Sequence, residues 1–116
     1  MTKVYIANLA GHDYSKAKRY GHFTFLTEGS INPTNTDRIL YDLSKQLADS
    51  EREDFILLSG HQIICSIAAL VMLTMHGQVN FLIFDAVKQD YVSRSITHSQ
   101  LTEVIDAIAQ NTGQGR

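Results

Sequence analysis

Phe55-Ile56-Leu57-Leu58 is apolar on every side, and it gives way at Ser59-Gly60-His61-Gln62 to a run, residues 63–75, that is apolar almost all round. A strand with no polar face must be covered on both faces, which places it inside a sheet flanked by helices. The apolar run ends at His76-Gly77, the signature of a helix stopped by a C-terminal glycine, and so predicts the most deeply buried helix of the fold. A helix this apolar in so small a protein also has surface to offer a second subunit. The tight turn between strand and helix aims the first helical amides, together with the His61 ring, at the space above the sheet edge, where a phosphate or another anion would sit.

The rest of the chain alternates strand and helix patterns. Val4, Ile6 and Leu9, with Tyr5 on the opposite face, predict a first strand over 3–9, broken by Ala10-Gly11-His12-Asp13. A short helix over 13–20, capped by Asp13 and stopped at Gly21, leads to a second strand over 22–27. Glu28-Gly29-Ser30-Ile31-Asn32-Pro33 is a loop, because Gly29 and the Asn-Pro pair both disfavour helix. Ile39, Leu40, Leu43 and Leu47 then line one stripe of an amphipathic helix over 34–48. Residues 79–84 and 91–96 read as a hairpin around Val87-Lys88-Gln89-Asp90. Thr97-His98-Ser99-Gln100 resembles a capping box for a last helix through Leu101, Val104, Ile105 and Ile108. The expected architecture is a small α/β sandwich, a single domain over 1–110 with a flexible tail at 111–116. Its sheet has about five mostly parallel strands, with a C-terminal hairpin and helices on both faces.

Charge and composition narrow the partners. With 116 residues and a formal net charge of -2, the chain has no basic field to draw duplex nucleic acid. The single cysteine, Cys65, cannot close an internal disulfide and falls inside the apolar helical run, where it reads as a small core residue in a reducing compartment. The run 63–75 is too short to span a bilayer, and the first residues lack the pattern of a signal peptide, so a cytoplasmic protein with no membrane partner is expected. His12, Asp13, His22 and His61 lack the spacing of helical metal ligands, and no metal or cofactor is expected. There is no phosphate-binding glycine loop of the triphosphatase or dinucleotide type, and Ser59 lacks the Gly-x-Ser-x-Gly elbow of serine hydrolases.

Ligands of open parallel sheets bind beyond the carboxyl ends of the strands. Three loops should converge there: the first brings Asn8, Gly11, His12 and Asp13, the second Glu28, Asn32, Asn35 and Arg38, and the third Ser59, Gly60, His61 and Gln62. Bland roles compete, since Asp13 suits a helix cap and Asn32 and Asn35 suit turns. His22 and His98 read as surface residues. His61 differs, because a neutral imidazole at a helix start can donate at one nitrogen and accept at the other.

The opening Met1-Thr2-Lys3-Val4-Tyr5-Ile6-Ala7-Asn8, the Ser59-Gly60-His61-Gln62 helix start and the hairpin end Tyr91-Val92-Ser93-Arg94-Ser95-Ile96 together resemble the viral ring nuclease anti-CRISPR family. The resemblance does not extend over residues 11–50. It implies a dimeric α/β protein of a virus or phage, acting in the host cytoplasm, that binds cyclic oligoadenylate and cleaves it without metal. It also implies a catalytic role for His61, the histidine that follows glycine at a helix start. Cleavage through the ribose 2′-hydroxyl needs in-line placement and an acid for the leaving 5′-oxygen, which His61 would supply. Amides at Gln62 and Ile63 would hold the phosphate, Arg38 or Arg94 would clamp its charge, and a two-fold homodimer would present two such sites to a ring-shaped ligand.

Two other classes stay open. One is a non-catalytic sponge for another defence nucleotide, a cyclic dinucleotide or trinucleotide or a cyclic ADP-ribose relative. The other is a nucleoside-processing enzyme, since Val4-Tyr5-Ile6-Ala7 with a following Gly11 resembles the opening strand of nucleoside 2-deoxyribosyltransferases, with Glu28 as nucleophile. A plain interaction module fits the same composition.

Overall fold

The computed structural model describes residues 1–9 and 12–111. Five strands, β1 (Lys3–Ile6), β2 (His22–Phe25), β3 (Phe55–Leu57), β4 (Gln78–Asp85) and β5 (Asp90–Thr97), form one sheet in the order β2-β1-β3-β4-β5. The first four run parallel, and β5 returns antiparallel to β4 as a hairpin. Three α-helices, α1 (Thr36–Gln46), α2 (Gln62–His76) and α3 (His98–Asn111), and two 3₁₀ segments, Ser15–Tyr20 and Leu47–Asp49, complete the fold. The α/β class, the mostly parallel five-stranded sheet and the C-terminal hairpin are as the sequence predicts. The flexible tail expected at 111–116 lies outside the described residues beyond Asn111.

Burial explains the order. Ile56 and Leu57 are buried on opposite faces of β3, and Val4, Tyr5 and Ile6 are all buried in β1. On one face Tyr5, Ile56 and Val79 pack beneath Ile39 and Leu43 of α1 and Ile64, Ala68 and Met72 of α2. On the other, Val4, Ile6, Leu57 and Leu82 pack against Tyr14 and Ala17, so the Ser15–Tyr20 segment is the cover there. That cover is fastened to the hairpin by Arg19, whose guanidinium reaches both Asp90 carboxylate oxygens, at 2.8 and 3.0 Å, and the Tyr91 carbonyl at 3.2 Å. The pairing holds the exposed Asp90 carboxyl below its usual range.

The segment that leads into β3 is tied by side chains. Buried Asn80 donates to the carbonyls of Arg52 and Asp54 and accepts from Gln78 and Ser95, which satisfies its amide on every side. Buried Asp54 accepts from the backbone N–H groups of Lys3 and Glu51, joining the start of β1 to the entry of β3.

Several boundaries differ from the sequence reading. The first strand stops at Ile6 instead of Leu9, because the Asn8 side chain crosses to the next loop and Leu9 keeps only one bridge, to Glu28. Residues 15–20 form a 3₁₀ segment where an α-helix over 13–20 capped by Asp13 is predicted; the N-cap is Tyr14, which makes no side-chain cap bond, and Asp13 closes a turn ahead of it by accepting the Ser15 N–H at 2.9 Å. The capping box is real: Gln100 N–H donates to Thr97 Oγ1 at 3.1 Å, and the Gln100 side chain accepts from Thr97 N–H at 2.8 Å. The helix it starts, α3, buries none of its residues and touches the remainder of the fold mainly through β5. Cys65 is a core residue, and burial pushes its thiol up.

Gly21 has a second duty besides ending the 3₁₀ segment. A Cβ there would lie 2.4 Å from the Thr2 carbonyl oxygen, the same oxygen that accepts the His22 N–H at 3.0 Å. Gly21→Ala is therefore expected to push β2 away from β1 and lower stability in urea unfolding by about 1–3 kcal/mol. An unchanged midpoint would show that β2 enters the sheet with room to spare.

Candidate functional site

The strand order reverses between β1 and β3. The chain leaves β1 toward the Ser15–Tyr20 face and leaves β3 toward the α2 face, so the two loops part and open a crevice at the carboxyl ends, the place where doubly wound sheets take ligands. The order 2-1-3-4-5 is one of the two common arrangements of such sheets, and its switch point falls between these same two strands.

Gly60 shapes the β3 side. Its φ of +77° lies in the left-handed region, which lets the chain turn from Leu57 into α2 within a few residues. His61 is the residue before the helix, its carbonyl accepting the Cys65 N–H at 3.1 Å, and it is partly exposed. Among the described residues no side chain caps α2, whereas Asn35 caps α1 by accepting the Arg38 N–H at 3.3 Å. The first-turn amides of α2 thus face outward without the side-chain acceptor that closes α1.

Two shallow clefts flank this turn and share Leu58 and Ser59. One, of about 260 Å³, is lined by His12, Asp13, Tyr14, Phe84 and Tyr91 as well. The other, of about 410 Å³, lies on the α2 side against Gly60, Gln62 and Cys65. The first has aromatic walls: His12 stands 6.0 Å from Tyr14, and Phe84 meets Tyr91 edge-on at 5.3 Å between ring centroids. Asp13 in this cleft is held below the usual carboxylate range, first by the Ser15 backbone N–H.

Of the residues singled out in the sequence, His12, Asp13, Ser59, Gly60 and Gln62 line these two clefts, whereas His61 sits at the same turn as the residue before α2 and lines neither, and Gly11 lies outside the described residues. Asn8 is buried and faces inward, donating to Thr27 Oγ1 at 2.9 Å and to the Gly29 carbonyl at 3.2 Å, so it fastens the first loop to the second. Glu28, Asn32, Asn35 and Arg38 line a separate groove of about 510 Å³ between the β2 loop and α1. Within it Asn32 closes a turn by accepting from Thr34, and Arg38 is paired with Asp42 at 3.0 Å. Arg94 stands at mid-strand in β5, opposite Phe81, away from the carboxyl-end loops. His22 pairs with Lys3 at the amino-terminal edge of the sheet, remote from His12 and His61. Among the described residues no group of three His, Cys, Asp or Glu side chains gathers as a metal site would require. The aromatic wall of Tyr14, Phe84 and Tyr91 was not legible as a site, because it forms only through the hairpin register that sets Phe84 beside Tyr91.

Fold and crevice together define a doubly wound α/β protein with a candidate ligand site at its topological switch point. The chain belongs to the Phage Pam3 gp32-like protein family, whose model matches residues 2–98, the whole sheet from β1 through β5. It is therefore a member of a phage protein family, and no helix among its described residues is long and apolar enough to cross a membrane. Comparison with curated proteins and with solved structures gave no match.

Because Asn8 ties the first loop to the second, Asn8→Ala is expected to cost about 1–3 kcal/mol by leaving buried partners unpaired. Hydrogen exchange should quicken at Leu9 and Leu26 to Gly29 while β4 and β5 stay protected. Uniform exchange across the sheet would contradict that local role.

Proposed function

We propose that this phage protein binds a cyclic nucleotide second messenger of the cyclic oligoadenylate type in the β1/β3 crevice and disarms it as an anti-defence protein. The observation that carries the reading is the pairing of an uncapped α2 start with an aromatic-walled cleft across a shared Ser59. Outward amides at Gln62 and Ile63 suit a phosphodiester, and the edge formed by His12, Phe84 and Tyr91 suits the face of a base. A local site of this kind needs no basic surface, in keeping with the net charge of -2.

His61 supplies the step that distinguishes cleavage from capture. When the ribose 2′-hydroxyl attacks the adjacent phosphorus, the 5′-oxygen leaves with a proton supplied by the His61 ring, and the 2′-hydroxyl proton passes to water. The products are a linear chain with a 2′,3′-cyclic phosphate and a free 5′-hydroxyl. The α2 amides hold the non-bridging oxygens as charge builds on them.

The test is incubation of the protein with cyclic tetra- and hexa-adenylate, cyclic dinucleotides and cyclic ADP-ribose, read by thermal shift and by chromatography of the recovered ligand. Cyclic oligoadenylate should raise the melting temperature and return linear products, and His61→Ala should still bind while losing about 10²–10⁴-fold in cleavage rate. Recovery of intact ligand from the parent protein would make it a sponge, and no shift with any of the panel would overturn the nucleotide reading.

A further inference from the structure

α3 carries Leu101, Val104, Ile105 and Ile108 at the i, i+3, i+4, i+7 spacing of a packing face, and each is at least 37% exposed. Glu103 and Asp106 fall on the opposite side of the helix by the same periodicity. An isolated helix of 14 residues is marginal in water without something against its apolar face. Among the described residues, nothing of its own chain covers that face. β5 ends at Thr97 and α3 begins at His98, so there is no connecting residue with which to reverse direction and lie back on the sheet.

A matching surface is left open elsewhere. On the α1/α2 face of the hairpin, Ile83 is paired with Val92 and Val79 with Ile96, so these side chains share one side. The helices cover Val79 and Phe81, yet Ile83 and Ile96 remain 40% and 39% exposed. Eight-residue strands give this face a length of about 27 Å, and a 14-residue helix is about 21 Å long, so the one fits along the other. Arg94 lies on the same face, and its long stem allows the guanidinium to reach water at the rim of a helix laid there.

We infer that α3 is an exchanged arm, which lays its apolar stripe on the β4–β5 face of a second copy of this chain and receives the second copy's arm in return. Area favours a reciprocal partner. A helix about 10 Å across and 21 Å long covers roughly 200 Å² of sheet, and a single such contact falls far short of the roughly 1,000 Å² at which specific interfaces begin. Two-fold exchange makes the contact twice, burying helix and sheet on both copies, and so approaches that size. The helix α2, where the sequence places the second subunit, already buries Ile64, Cys65, Ile67, Ala68, Val71 and Met72 within its own chain. The arm springs from the amino-terminal edge, where His98 N–H donates to the Gly77 carbonyl at 2.9 Å, at the opposite end of the sheet from the nucleotide crevice. The inference therefore stands apart from the nucleotide reading.

Sedimentation of the full chain tests it. The parent protein should sediment as a dimer, and Val104→Glu with Ile108→Glu should weaken the dimer by more than about 100-fold by setting charges into apolar contact, while circular dichroism reports a folded sheet. Oxidation of the double variant Ile96→Cys with Val104→Cys should give a covalent dimer that neither single variant gives. A monomeric parent protein would overturn the exchanged arm, as would a charged variant that stays dimeric. A covalent dimer from Val104→Cys alone would place helix on helix and overturn it equally.

Discussion

Everything at the carboxyl edge depends on β1 and β3 lying side by side with both faces buried. Val4, Ile6 and Leu57 face one layer and Tyr5 and Ile56 the other, so neither strand has a side on which its chain can leave. The exits are at the strand ends, and they go to opposite faces. That divergence is what opens the crevice, and the left-handed turn at Gly60 is what brings the head of α2 up to its rim. The crevice is thus a consequence of topology, furnished afterward by particular side chains.

The same burial explains which parts of the molecule are legible from sequence. Phe55 to Leu58 announces an inner strand because nothing in it tolerates water, and the stripe of Ile39, Leu43 and Leu47 announces a helix on a sheet. Thr97 and Gln100 announce a helix start because their reciprocal bonds are encoded by residues three apart. What escapes the sequence depends on contacts between distant positions. Asn8 reads as a loop residue open to a ligand, and only its bonds to Thr27 and Gly29 show it to be a fastener. Arg38 reads as a free cation until Asp42, one helical turn on, takes it. The aromatic cleft needs Tyr14 from one loop and the Phe84–Tyr91 pair from the hairpin, which no local pattern joins.

The two ends of the sheet carry different tasks. The carboxyl edge gathers titratable, aromatic and amide groups in shallow clefts, whereas the amino edge is tied by structural bonds such as Lys3 and Glu51 to Asp54 and Ser50 to His76, beside an open cleft of about 570 Å³ against Thr2, Arg19, Tyr20 and His22. Membership of the phage family spans the sheet and its loops, residues 2–98, and α3 continues from that boundary as an amphipathic arm. On this reading ligand chemistry and assembly occupy separate surfaces, and changes in one need not disturb the other.

The central claim is that the β1/β3 crevice, and no other groove, receives the nucleotide. The most direct measurement is an amide-resolved NMR titration with cyclic tetra-adenylate. The account predicts perturbations at Gly60, His61, Gln62 and Ile63 together with the ring signals of His12, Phe84 and Tyr91. Shifts confined to Asn32, Asn35 and Arg38, in the groove beside α1, would contradict it.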